Sequence, residues 1–432
     1  MKLSYFFLLS VTALSAQDFY WNTVSARSLG MGGVYVPSNT GALDALAANP
    51  AGLTAIGAPA IDANLTSVFA RGSFTNSVNQ NSPIQTPPGL LPFGAFGTPV
   101  EHSRFSLGLG ILPEMLSVSQ WHYVDAPGAA GTTYGSQFDK SAIIALRAVA
   151  GVGVSLGHSI SIGATFGVDY NQNHLETPYI FQEQPVLAGL KTLLNLKTTG
   201  TGENASVGIL ANPTRRIKLG AAWKSRTVIH STGHAAGNAG QLFENLGIPN
   251  PAGFTYNAAV RNVLPQSVMA SALWQANPRW TFALQGDWVN WGSAFRTLPV
   301  ALTNGTNATI NSLLNSTSLI DGVPLHWKDQ YSFHGGVERV LTENISIRAG
   351  YAHANDPVPS STLSPLTAAI MKDQLTTGIG YRVGRARFDL SYGIDLTAKQ
   401  SVAQSALLAG EYSNSTVRIG TQSLTLGTSF SF

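Results

Sequence analysis

From Ala386 to Leu396 the chain reads ARFDLSYGIDL, with Phe388, Leu390, Tyr392, Ile394 and Leu396 on one face and Arg387, Asp389, Ser391, Gly393 and Asp395 on the other. This unbroken period of two predicts a strand with one apolar and one polar face. SISIGATFGVDY repeats it, setting Ile160, Ile162, Ala164, Phe166, Val168 and Tyr170 against Ser161, Gly163, Thr165, Gly167 and Asp169. So does NISIRAGYAH, with Ile345, Ile347, Ala349 and Tyr351 against Ser346, Arg348, Gly350 and Ala352. A chain built from such strands must decide which face meets which solvent.

Composition settles that choice. Charged residues are 11% of the chain, against about 25% in an ordinary soluble domain. Lys2, an apolar run from Leu3 to Leu14 and the small pair Ser15–Ala16 read as an export signal over residues 1–16, too short to cross a bilayer as a helix. The longest later apolar stretch, AIIALRAVAGVGVSLG, is broken by Arg147 and by glycines, so transmembrane helices are not expected. Low charge, export and alternation together predict a transmembrane β-barrel. Turning Arg348 or Lys328 toward lipid would cost about 2–4 kcal/mol each, so the polar face is the lumen.

Tight turns fall at TPVEHS (98–103), LGHS (156–159), NPTR (212–215), ANPR (276–279), LTEN (341–344) and RVGR (382–385). They alternate with seven long polar or Gly-rich stretches near 75–90, 114–139, 174–202, 232–261, 296–323, 356–371 and 400–413. Six short turns and seven long loops join 14 antiparallel strands with both termini on the periplasmic, short-turn side of an outer membrane. The C-terminal strand ends in LGTSFSF, closing on Phe432. A lumen of this width must be open or filled. Residues 17–58 precede the barrel (59–432), lack the period of two, and carry TGALDALAANP, a short helix ended before Pro50. This segment is long enough to plug the lumen.

SARSLGMGGVYVPSNTGALDALAANPAGL resembles the N-terminal hatch of the FadL/TodX family of outer-membrane transporters for hydrophobic compounds, whose hatch carries an Asn-Pro-Ala motif, here Asn49, Pro50 and Ala51. VLPQSVMASALWQANPRWTFALQGDWVNWGSAF, WKDQYSFHGGVERVLTENISIRAGYAHANDPVP and the Phe-terminal strand resemble family segments in the same order. The resemblance spans nearly the whole mature chain. It implies passive uptake of long-chain fatty acids or similar hydrophobic molecules, by capture on external loops, passage to a pocket against the hatch and lateral exit through the wall into outer-membrane lipid. The terminal Phe432 is the kind of aromatic ending that the barrel-assembly machinery reads, so that machinery is the expected partner during biogenesis. A monomer is expected. Aromatic hydrocarbons are the alternative cargo, and a structural or adhesive barrel the alternative function.

Candidate residues follow for each step. QPVLAGLKTLLNLK places Leu187, Leu190 and Leu194 at helical spacing, and QLFENLG adds Leu242, Phe243 and Leu246. The resemblance puts the capture groove in these two loops. A carboxylate passenger needs a cation; by parity the inward candidates are Arg147, Lys328, Arg348 and Arg382, with Lys328 and Arg348 the preferred pair on adjacent strands. Phe19 is the expected N-terminal contact to ligand, and Gly108, Gly110 and Pro113 of SLGLGILPEM are the expected kink that opens the wall. GVSLG (153–157) fits the nucleophile-elbow pattern, but a second strand follows where the elbow needs a helix. The His residues are scattered without metal-ligand spacing, and the chain has no Cys. No catalytic site, metal or cofactor is expected, and a net charge of +3 gives no reason to expect nucleic acid.

Overall fold

The computed structural model describes residues 25–35, 41–157 and 159–432; the expected export signal and Phe19 lie outside them. The wall is a closed 14-stranded antiparallel barrel. In chain order it comprises β1 (Ala60–Thr75), β2 (Gly89–Pro99), β3 (Phe105–Val124), β4 (Ser136–Ser155), β5 (Ile160–Ile180) and β6 (Lys191–Ala211). Four interrupted strands follow: β7 (Ile217–Lys224, Thr227–Asn238), β8 (Gly253–Leu264, Ser267–Asn277), β9 (Trp280–Val289, Thr297–Thr303) and β10 (Leu319–Pro324, Gln330–Val340). The last are β11 (Ile345–Ala354), β12 (Asp373–Val383), β13 (Ala386–Asp395, continued by Ala398–Val402) and β14 (Ser415–Ser431). The barrel closes where β1 pairs with β14 from Ala60↔Ser431 to Thr75↔Thr416.

Each of the three alternating segments faces as its pattern demands. Phe388, Leu390 and Tyr392 are exposed on the outer face, as are Ile160, Ile162, Phe166, Val168 and Tyr170, while Asp389, Ser391, Thr165 and Asp169 are buried inside. All six tight turns join the strands expected. The long loops are shorter than the sequence suggests, because β3 to β6 run on for 20 or 21 residues each. At about 3.3 Å per residue, such strands rise well beyond the apolar band of an outer membrane.

Two plugs fill the lumen. From the short-turn end come α1 (Ala26–Gly30), α2 (Ala42–Ala47) and a 3-10 turn (Pro50–Ala55). From the other end the β11–β12 loop folds inward, burying Val358, Leu363, Leu366, Ile370 and Met371.

Candidate functional site

The N-terminal plug sits on the wall through its Asn-Pro-Ala turn. Asn49 Oδ1 accepts from the Ala51 N–H at 3.1 Å, and Nδ2 donates to the Ile209 and Ala221 carbonyls at 3.1 and 3.2 Å. Ile209 and Ala221 face each other across β6 and β7, so one side chain clamps the turn to two strands. The turn gets this close because the lumen face beneath it is glycine. A Cβ at Gly163 would collide with Pro50 and Ala51, one at Gly208 with Asn49, and those at Gly108 and Gly151 with Leu53 and Leu46 at 2.7 Å. The α2 N-terminus is capped from the wall, Leu43 N–H donating to Asp62 of β1 at 3.1 Å. Asp44 ties the helices together, accepting from Ser25 and Ser28 at 2.8 and 3.3 Å. Burial pushes its carboxyl up to about 6.

Above the wall lies an outer cavity of about 710 Å³ whose lining is almost entirely aliphatic and aromatic. All six residues expected to form the capture groove, Leu187, Leu190, Leu194, Leu242, Phe243 and Leu246, line it. Their local structure divides. QLFENLG does form a helix, α3 (Gly240–Asn245), but Leu187 and Leu190 lie in a turn and Leu194 in β6, so the leucines meet through a strand and its turn rather than a helix face.

Beneath it is an inner cavity of about 890 Å³. Tyr179, Phe295, Trp327 and Tyr412 supply aromatic walls, Ser117 and Ser141 come from β3 and β4, and Leu366 from the inward loop. No charged side chain lines it among the described residues. Trp327 packs on Phe295 and Trp291 with ring centroids 4.9 and 5.2 Å apart. Loops are clasped around this cavity by a buried Lys191, whose Nζ donates to Asp125, Glu411 and the Ala126 carbonyl at 2.7, 2.7 and 2.5 Å. Burial pushes the Glu411 carboxyl up to about 8 against the pull of Lys191.

One seam of the wall is incomplete. The β2–β3 ladder runs from Pro99↔Ser106 to Gly94↔Ile111 and stops, although β2 goes on pairing with β1 as far as Val68↔Gly89. The reason is in the parity. Val100 N–H donates to the Phe105 carbonyl at 2.9 Å, so bonded pairs recur every second residue and the one after Gly94/Ile111 is Pro92/Pro113. Both donors that this pair needs are missing. From Leu112 to Ser119 β3 is wholly buried, and its register on β4 slips between Pro113 and Met115, leaving Glu114 extruded. Lys224 of β7 holds Glu114 across the lumen at 2.5 Å. The segment ahead of β2 meets β3 again at the Ile84–Trp121 bridge, where Trp121 also donates to the Pro365 carbonyl at 3.0 Å. Apolar side chains edge the gap on the inside: Leu91 and Phe93 from β2, Leu112 and Leu116 from β3, and Leu43 and Leu46 from α2.

This architecture has known counterparts. The family model described as outer membrane protein transport protein (OMPP1/FadL/TodX) matches residues 7–432. The chain belongs to this family. It is therefore an outer-membrane β-barrel of a family that transports hydrophobic compounds. Among solved structures it is similar to a Pseudomonas aeruginosa FadL homologue (TM-score 0.76, 16% identity, 97% of this chain and 100% of that one). The toluene transporters TbuX of Ralstonia pickettii and TodX of Pseudomonas putida each align at TM-score 0.73 and 18% identity over 95% of this chain, covering 99% and 98% of their own. At these identities the likeness is one of fold. No curated protein matches the sequence.

In this FadL/TodX-family barrel none of the four expected cations lines the outer or the inner cavity. Lys328 is not on the lumen face: it lies in the linker between the two halves of β10 and is exposed, because the strand breaks after Pro324. Arg348 does face inward, but Glu338 and Asp389 bind it at 2.6 and 2.7 Å, and Arg27 of α1 shares Glu338 at 2.9 Å. It fastens the hatch at the periplasmic end, and Arg382 lines the same periplasmic vestibule. Arg147 is buried, donates to Thr165 at 2.9 Å and lines a separate cavity of about 600 Å³ beside Glu114, Lys224 and Asp287. The glycines of the expected kink are also reassigned. Gly108 and Gly110 lie within the intact ladder opposite Gly97 and Ala95 and make room for Leu53 and Leu46; the break begins at Pro113. Pro92 was not singled out by the sequence reading, although a proline in mid-strand is itself a signal of lost pairing.

Proposed function

We propose that this barrel is a passive channel for uncharged hydrophobic small molecules, aromatic hydrocarbons in preference to ionised fatty acids. A passenger settles first in the outer cavity, moves to the inner one, and leaves between β2 and β3 into the outer leaflet or core of the membrane. The observation that carries this reading is the inner cavity, whose lining is mostly apolar and carries no charged side chain among the described residues. A carboxylate placed there would be desolvated without a partner, at a cost of several kcal/mol. Apolar burial alone favours a neutral ring. Two of the similar structures are toluene transporters, which agrees with this preference.

No energy source is needed, since partition into lipid drives exit. The test is initial uptake of labelled toluene and labelled oleate by cells with and without the barrel. Faster toluene entry with little gain for oleate supports the proposal. Selective gain for oleate would make this a fatty-acid channel instead, and no gain for either would leave a structural or adhesive barrel.

A further inference from the structure

The outer and inner cavities share one aromatic wall, Tyr179 at the end of β5, which lines both. Among the described residues Tyr179 is the one residue common to both linings, so it stands at their boundary. The ring is held in place at its far end: the hydroxyl donates to Asp321 Oδ2 at 2.6 Å. Asp321 is buried, and it is the one charged side chain lining the outer cavity among the described residues. An ionised group in so apolar a place needs compensation. It has it, because the backbone N–H groups of Gln182, Glu183 and Gln184 donate to its carboxylate at 3.1, 2.6 and 3.0 Å. The carboxylate is thus a fixed anchor on β10, and the Tyr179 hydroxyl is the one side-chain donor given to it.

We infer that Tyr179 is the gate between the capture cavity and the inner cavity, latched by its hydroxyl on Asp321, and that it sets the size of passenger admitted. This rests on the transport reading above and deepens it. Releasing the latch leaves the three backbone donors on Asp321, so the anchor stays satisfied. Only the ring is freed. A hydrogen bond to a charged acceptor corresponds to roughly a tenfold change in the opening equilibrium.

Tryptophan fluorescence provides a readout independent of transport in cells. Trp327 lines the inner cavity, and no tryptophan lines the outer one among the described residues. Purified barrel is mixed rapidly with bromobenzene or with 1-bromonaphthalene, and the quenching phase that disappears in Trp327→Phe reports arrival inside. Tyr179→Phe should speed this phase about tenfold, and Tyr179→Ala more, with the larger gain for the two-ring probe. Heat-modifiable gel mobility checks that each variant is folded. An unchanged rate in both variants, or no Trp327-dependent phase in the unmodified barrel, overturns the gate. Gated quenching in a barrel that gives cells no toluene uptake would refute the transport proposal and leave the gate standing, whereas toluene uptake with ungated quenching would refute the gate alone.

Discussion

Lys224 reaches across the lumen from β7 to hold Glu114, the residue extruded from β3, at 2.5 Å. Both side chains are almost wholly buried. Removing one partner takes the nearest opposite charge from a buried group, so Lys224→Met or Glu114→Leu alone should destabilise the barrel by about 3 kcal/mol, and the double variant by less. Urea unfolding of the four proteins measures the cycle. The pair also holds the β3 displacement, so toluene uptake should fall in either single variant.

Pro92 and Pro113 stand where the next bonded pair of the β2–β3 ladder would form. Restoring both donors with Pro92→Val and Pro113→Val lets the ladder extend. The double variant should take up toluene more slowly and show new amide-exchange protection at positions 92 and 113, whereas either single change restores only half the pair and should do less.

The hatch is seated by Asn49. Asn49→Ala removes its bonds to the Ile209 and Ala221 carbonyls and its own turn cap, a loss of about 1–3 kcal/mol in hatch docking. Gly208→Ala drives a methyl group into the same amide from the wall side. Both variants should admit small hydrophilic solutes that the intact plug excludes, measured as antibiotic sensitivity, while a substitution at an outward position such as Ile209→Val should not.

The loop clasp gives a pH dependence. Burial pushes the Glu411 carboxyl up to about 8 from an ordinary 4.5, so between those values the folded state holds a proton that the unfolded chain has released. Loop stability therefore falls as pH rises through that window. Limited proteolysis of the 403–414 loop should quicken from pH 5 to pH 9, and Glu411→Gln should flatten the trend.

Much of this was legible beforehand because a barrel strand encodes its two solvents residue by residue. Phe388 to Leu396 need no partner to declare a face, and turns such as LTEN are local. Pro113 was readable for the same reason. Pro92 gains meaning only from register, which depends on where β2 and β3 pair. The partners of the cations were hidden for a related reason: parity shows that Arg348 points inward, but not that Glu338 and Asp389 already bind it. The inner cavity was not legible either, since Trp327, Tyr179 and Leu366 come from distant parts of the chain. The leucines of 187–194 were grouped correctly as neighbours, yet for a helix that does not form, because apolar spacing in a strand and its turn can imitate a helical stripe.

The central claim is that passengers leave through the β2–β3 gap. The chain has no native cysteine, so Leu91→Cys and Leu112→Cys on the two edges can be joined by a cleavable bifunctional thiol reagent without competing sites. Toluene uptake by cells carrying this variant should drop to the level of cells lacking the barrel on cross-linking and recover on cleavage. Unchanged uptake across a closed gap would contradict the account.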